Sequence, residues 1–160
     1  MKMNEGVEWA MHSCVNLSWV PGQPVTAKHL AAFYDLPTAY LNKQLQALTR
    51  AGILSSVSGP KGGFQLARDP RNISLLDIVV AIDGPDEAFR CTQILKAGPG
   101  ADPTADYTKV CLVSQAMRTA ELAYRRELAG QTIADIAERV VARTPEAPTR
   151  VRTRFANLKS

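Results

Sequence analysis

The segment that most restricts the fold is residues 53–67. Two short stretches of strand-forming residues, Ile53-Leu54-Ser55-Ser56-Val57 and Phe64-Gln65-Leu66-Ala67, flank the glycine-rich, basic turn Ser58-Gly59-Pro60-Lys61-Gly62-Gly63. Strand residues on either side of such a turn predict an antiparallel hairpin. What precedes the hairpin decides what it belongs to.

Upstream, from residue 5 to about residue 20, Val7, Ala10, Met11, Cys14, Val15 and Leu17 recur at three-and-four spacing. That pattern predicts a helix with one buried face, ended by Pro21-Gly22. Thr26 suits the N-cap of a short helix over residues 27–34, with Leu30, Ala31 and Phe33 inward. After Asp35-Leu36, Pro37 suits the first position of a third helix, residues 37–51, because proline has no amide hydrogen to lose there. This helix buries Leu41, Leu45 and Leu48 and stops at Gly52. Two short helices joined by a tight turn and followed by a hairpin make a winged helix-turn-helix, whose second helix fits the major groove of DNA.

Beyond the hairpin, Ser74 and Asp77 form a capping pair for a helix striped by Leu75, Ile78, Val79 and Ile82 and ended by Asp83-Gly84-Pro85. Residues 86–111 lack periodicity and hold Cys91 and Cys111; a loop that long is usually functional or disordered. Residues 112–128 predict a long helix, with Val113, Ala116, Met117, Ala120, Ala123, Tyr124 and Leu128 at helical spacing. Thr132 caps a last helix over residues 133–142, and the rest, rich in Arg, Thr and Pro, reads as a mobile tail. The expected organisation is a winged helix-turn-helix domain over 1–85, a ligand loop over 86–111, dimerisation helices over 112–142 and a flexible basic tail over 143–160. In fold class the chain is mainly α with a small β-hairpin wing and a long dimerisation helix, and two-fold pairing gives two DNA half-sites.

Charge follows the same division. The net charge is only +4, yet residues 21–72 and the tail are both basic while residues 73–142 are acidic, so the positive field has two sources. On the predicted third helix, Thr38, Tyr40 and Lys43 are candidates for groove and phosphate contacts, with Lys28 as a phosphate contact on the helix before it. Lys61 at the wing tip is placed to meet a phosphate or the minor groove, with Gly62 and Gly63 allowing close backbone approach. Phe64 and Leu66 are expected to anchor the wing to the core. No run of about 18 apolar residues exists to span a membrane, and residues 1–12 lack a secretory signal's pattern, so a cytoplasmic location is expected. A P-loop, a dinucleotide-binding glycine motif and a nucleophile elbow are all missing, and two His are too few for most metallohydrolase sites, so an enzyme is not expected.

The segments Pro37-Thr38-Ala39-Tyr40-Leu41-Asn42-Lys43-Gln44-Leu45, Gly59-Pro60-Lys61-Gly62-Gly63-Phe64-Gln65-Leu66-Ala67-Arg68 and Ile73-Ser74-Leu75-Leu76-Asp77-Ile78-Val79 resemble the IscR/NsrR family of bacterial winged-helix regulators, also called the Rrf type, over roughly residues 1–140. Many members hold an iron-sulfur cluster on three closely spaced loop cysteines. This chain departs from that pattern, having only Cys91 and Cys111 in the loop. Its N-terminus resembles instead the RsrR redox-sensing branch, in which a 2Fe-2S cluster is shared across a homodimer. On that resemblance Glu8 and His12, four apart on one helix face, hold one iron and Cys91 and Cys111 of the other protomer hold the second.

The resemblance thus implies a dimeric, redox-sensing transcriptional repressor. The donor chemistry is sound in itself, because thiolates suit iron in a sulfide cluster and a nitrogen ligand replacing thiolate raises its potential. Other readings of the same residues stay open. Cys91 and Cys111 can also be read as a thiol pair for a redox disulfide, or as zinc ligands with Glu8 and His12. A small ligand is another candidate signal, or the winged helix is a protein-interaction module. Cys14 falls on the apolar stripe and reads as core, His29 as surface or phosphate contact, and Trp9 and Trp19 as packing or interface residues.

Overall fold

The computed structural model describes residues 3–159. It opens with α1 (Glu5–Ser18), α2 (Ala27–Phe33) and α3 (Thr38–Arg50), followed by the hairpin β1 (Leu54–Val57) and β2 (Gly63–Leu66). The strands pair antiparallel in the register Leu54↔Leu66 to Val57↔Gly63. A second set of helices follows: α4 (Leu75–Asp83), α5 (Tyr107–Val110), α6 (Leu112–Ala129), α7 (Ile133–Arg143) and α8 (Ala147–Lys159). Helix, helix, hairpin in that order is the winged helix-turn-helix expected, with Pro37 as the N-cap of α3 rather than its first residue.

The core lies between α1, α3, α4 and α7. Leu17, Leu30, Leu41, Leu45, Leu48, Ile53, Ile78 and Ile133 are all fully buried there, each contributing roughly 1.5–3 kcal/mol. Helices α4 and α7 start side by side through a bridge between Ser74 and Thr132. Each carries a complete capping box, Ser74 with Asp77 and Thr132 with Asp135, so helix-end amides that have no partner within the helix are satisfied.

Helix α6 behaves differently. It packs on α4 and α5, yet Ser114 is its only buried residue. Leu112 is 78% exposed and Val113, Met117 and Leu122 are exposed with it. Arg125 ties the helix to the body: it pairs with Glu121 at 2.8 Å and donates to the Pro85 and Asp86 carbonyls at 2.9 and 3.0 Å. The segment before α6 is ordered by local structure, a 3-10 turn at Ile94–Ala97 and the single turn of α5.

The predicted flexible tail is corrected. Residues 147–159 form α8, which buries Val151 and Phe155 in the main core and packs Leu158 against it. The spacing of these three residues is that of one helix face, and Pro148 falls in the first turn, where no amide donor is needed. Ser160 lies outside the described residues.

Candidate metal centre and nucleic-acid interface

The recognition face is built by α3. Leu41, Gln44, Leu45 and Leu48 turn inward, which leaves Thr38, Lys43 and Gln46 outward. Gln46 escaped the sequence reading, although its spacing of three from Lys43 would have found it. Lys28 on α2 and Lys61 at the wing tip are also exposed, and among the described residues neither they nor Lys43 has an acidic partner. Tyr40 is only partly free: its ring meets Trp9 of α1 edge-on, with centroids 5.2 Å apart.

The wing is pinned through β2. Val25 and Phe64 exchange backbone hydrogen bonds of 2.9 and 2.8 Å, and Phe64 is buried with Leu66 packed beside it. A side chain on Gly63, whose φ is +142°, would sit 2.5 Å from the Val25 carbonyl carbon, and one on Gly62 only 2.1 Å from the Val57 carbonyl oxygen. Glycine is therefore required at both positions by the chain's own backbone, at Val25 for Gly63 and within the turn for Gly62.

Glu8 and His12 lie exposed one turn apart on α1. Behind them the helix is tightly seated. Gly6 lies so close to Gln44 of α3 that a Cβ would come within 2.7 Å of its side-chain amide. The His12 ring rests on Tyr34 at the end of α2, with centroids 5.5 Å apart. Tyr34 is in turn fixed by the buried Asn16, whose Nδ2 donates to its hydroxyl at 3.1 Å. Burial pushes the Tyr34 phenol pKa up, partly offset by the Asn16 hydrogen bond.

Cys91 and Cys111 are both free thiols, half-buried, and line one groove of about 520 Å³ with Tyr107, Ile94, Leu112 and Val113. Cys111 occupies the junction between α5 and α6, serving as the N-cap of α6. Here the positive end of the helix dipole favours an anionic group. The Cys91 thiol makes a long contact to the Tyr107 carbonyl at 3.9 Å. Cys14 is different: burial pushes its thiol up to about 12, which suits the core role expected of it. The two donor pairs are not brought together within one chain, since among the described residues no three His, Cys, Asp or Glu converge. His29 is half-buried on α2, and its Nδ1 is buried without a hydrogen-bond partner among the described residues.

Among the described residues no helix is long and apolar enough to cross a membrane. The chain is 32% identical over 83 residues to the HTH-type transcriptional regulator BadM of Rhodopseudomonas palustris, a match taking in 52% of this chain and 53% of that protein. The chain thus spans about half the length of that relative. Its fold superposes on T. potens IscR with a TM-score of 0.66 at 23% identity, covering 90% of this chain and 91% of that one. It superposes on CymR, the global cysteine regulator of B. subtilis, with a TM-score of 0.62 at 21% identity, covering 86% and 97%. These relatives are transcriptional regulators rather than enzymes. Residues 3–139 match the Rrf2 family, described as iron-dependent transcriptional regulators, and the chain belongs to that family.

Proposed function

We propose that the protein is a homodimeric, DNA-binding repressor of the cytoplasm whose hold on its operator is set by a shared 2Fe-2S cluster. Glu8 and His12 of one protomer and Cys91 and Cys111 of the other are its ligands, as in the RsrR branch of the family. One observation carries this reading. Each donor pair is accessible and incomplete, and the thiol pair is bordered by apolar surface on Ile94, Leu112 and Val113 that its own chain leaves uncovered. A second protomer supplies both the missing cover and the missing ligands.

The donor set fits the group: two thiolates, an imidazole and a carboxylate, with no disulfide consuming the sulfurs. A cluster so ligated supplies a one-electron couple at a potential above that of an all-thiolate site. The chain's own part is to connect that site to the DNA-reading helices. His12 leans on Tyr34 at the end of α2, and Trp9, next to Glu8, leans on Tyr40 in the first turn of α3. A shift of α1 therefore changes the seating of both helices of the motif. Thr38, Tyr40 and Lys43 serve the major groove and its edges, and Lys28 and Lys61, with the wing turn at Gly62 and Gly63, hold phosphates on either side.

Anaerobic purification tests the proposal. The expected product is coloured, with iron and sulfide equal to one 2Fe-2S per chain, and His12→Ala or Cys111→Ala bleaches it. Colourless protein carrying zinc overturns the cluster. A second reading rests on Cys91 and Cys111 lining one groove: their thiols lose two protons and two electrons to a cellular oxidant such as a peroxide and close a disulfide. In that case anaerobic protein is colourless and metal-free, and DNA binding responds to peroxide but not to His12→Ala.

A further inference from the structure

We infer that the exposed face of α8 is a second DNA-backbone contact, extending the protein's footprint beyond the recognition helix and wing. This rests on the DNA-binding reading above. The family match ends at residue 139, so α8 lies outside the segment that defines the family. It is nevertheless docked on the helix-turn-helix. Phe155 packs its ring on Phe33 of α2 at 5.5 Å, and Arg152 donates from Nε to the Trp19 carbonyl at the end of α1 at 3.0 Å.

The opposite face of α8 is polar and basic. Thr149, Arg150, Thr153, Arg154 and Asn157 line an open groove of about 340 Å³ with Glu146, the one acid among residues 143–160. Glu146 is held by Arg150 at 2.8 Å, while among the described residues Arg143 and Arg154 have no acidic partner. Guanidinium, hydroxyl and amide groups on successive turns are the donor set that phosphate oxygens accept from. The occupant is DNA because α8 is fastened to α2, the helix that carries Lys28, and the first helix of such a motif crosses the DNA backbone. The second positive stretch of the sequence is thereby joined to the first.

The test uses the full chain and a duplex that the wild-type protein selects from a randomised pool, long enough to extend a full turn beyond both half-sites. The double variant Arg150→Ala, Arg154→Ala keeps Val151 and Phe155, so its melting temperature stays at the wild-type value. Its salt dependence, log K against log salt, becomes shallower by about 0.9 for each phosphate that is no longer neutralised. Hydroxyl-radical protection disappears at the outer edges of the footprint, and the Arg150→Lys, Arg154→Lys variant retains both signals. An unchanged slope and footprint in the alanine variant, with Lys43→Ala still weakening binding, overturns the role of α8 alone. A wild-type protein that selects no duplex overturns the DNA-binding reading and the role of α8 with it.

Discussion

The winged body and the arm formed by residues 86–129 solve the burial of apolar surface in opposite ways. In the body, Leu41, Leu45, Leu48, Ile73 and Ile78 are wholly shielded from solvent within one chain. In the arm, a long helix buries only Ser114, and Ile94, Leu112 and Val113 stand in solvent at 79%, 78% and 64% exposure. An amphipathic helix without cover offers a surface for an interface. The body thus closes its own core, whereas the arm, which carries both half-buried thiols, leaves apolar surface that the proposed second copy would cover.

The largest effect is expected where the arm alone is altered. Leu112→Asp with Val113→Asp converts the dimer to a monomer in sedimentation and removes bound iron, while the far-ultraviolet spectrum of the body persists. A variant that remains dimeric shows that the interface lies elsewhere. In the body, Phe155→Ala removes a buried ring between α8 and α2 and costs about 3–5 kcal/mol in denaturant unfolding. In the monomeric background Leu122→Ala costs within about 0.5 kcal/mol, as for an exposed residue. Equal costs at the two sites erase the contrast. Thr132→Ala, which breaks the capping box of α7, costs about 1 kcal/mol.

The smallest effect is a response to acid. The Arg71 side chain beside Asp69 holds its carboxyl down to about 2, and hydrogen bonds from Thr132 lower that of Asp135. A carboxyl lowered in the folded state contributes stability that is present above its unfolded value and lost as pH falls through the folded one. Melting temperature should therefore decline below about pH 4. For Asp69, exposed and screened, the decline is slight and shrinks further in high salt.

What was legible in the sequence follows the same division. The periodicity of α1, with Ala10, Cys14 and Leu17 inward, could be read because the partners of that stripe lie in the same chain, and the capping pair Ser74–Asp77 is a local signal. Pairings between distant segments were not legible. The Val25–Phe64 bridge brings Gly63 against the Val25 backbone, and the Trp9–Tyr40 pair rests one edge of the Tyr40 ring on α1. Helix α8 was hidden by composition: Arg, Thr and Pro read as a tail, while Val151, Phe155 and Leu158 are an apolar stripe too short to stand out. Of the proposed ligand pairs, residue spacing showed that Glu8 and His12 share a helix face, but the common groove of Cys91 and Cys111 depends on how residues 92–110 fold back.

Co-expression of His12→Ala and Cys111→Ala chains, with isolation of the mixed dimer by two affinity tags, tests shared ligation most directly. Each variant alone binds no cluster. If ligands cross the two-fold axis, the mixed dimer rebuilds one intact site, from Glu8 and His12 of the Cys111→Ala chain and Cys91 and Cys111 of the His12→Ala chain. It then shows colour and one cluster per dimer. A colourless mixed dimer without iron contradicts ligation across the interface.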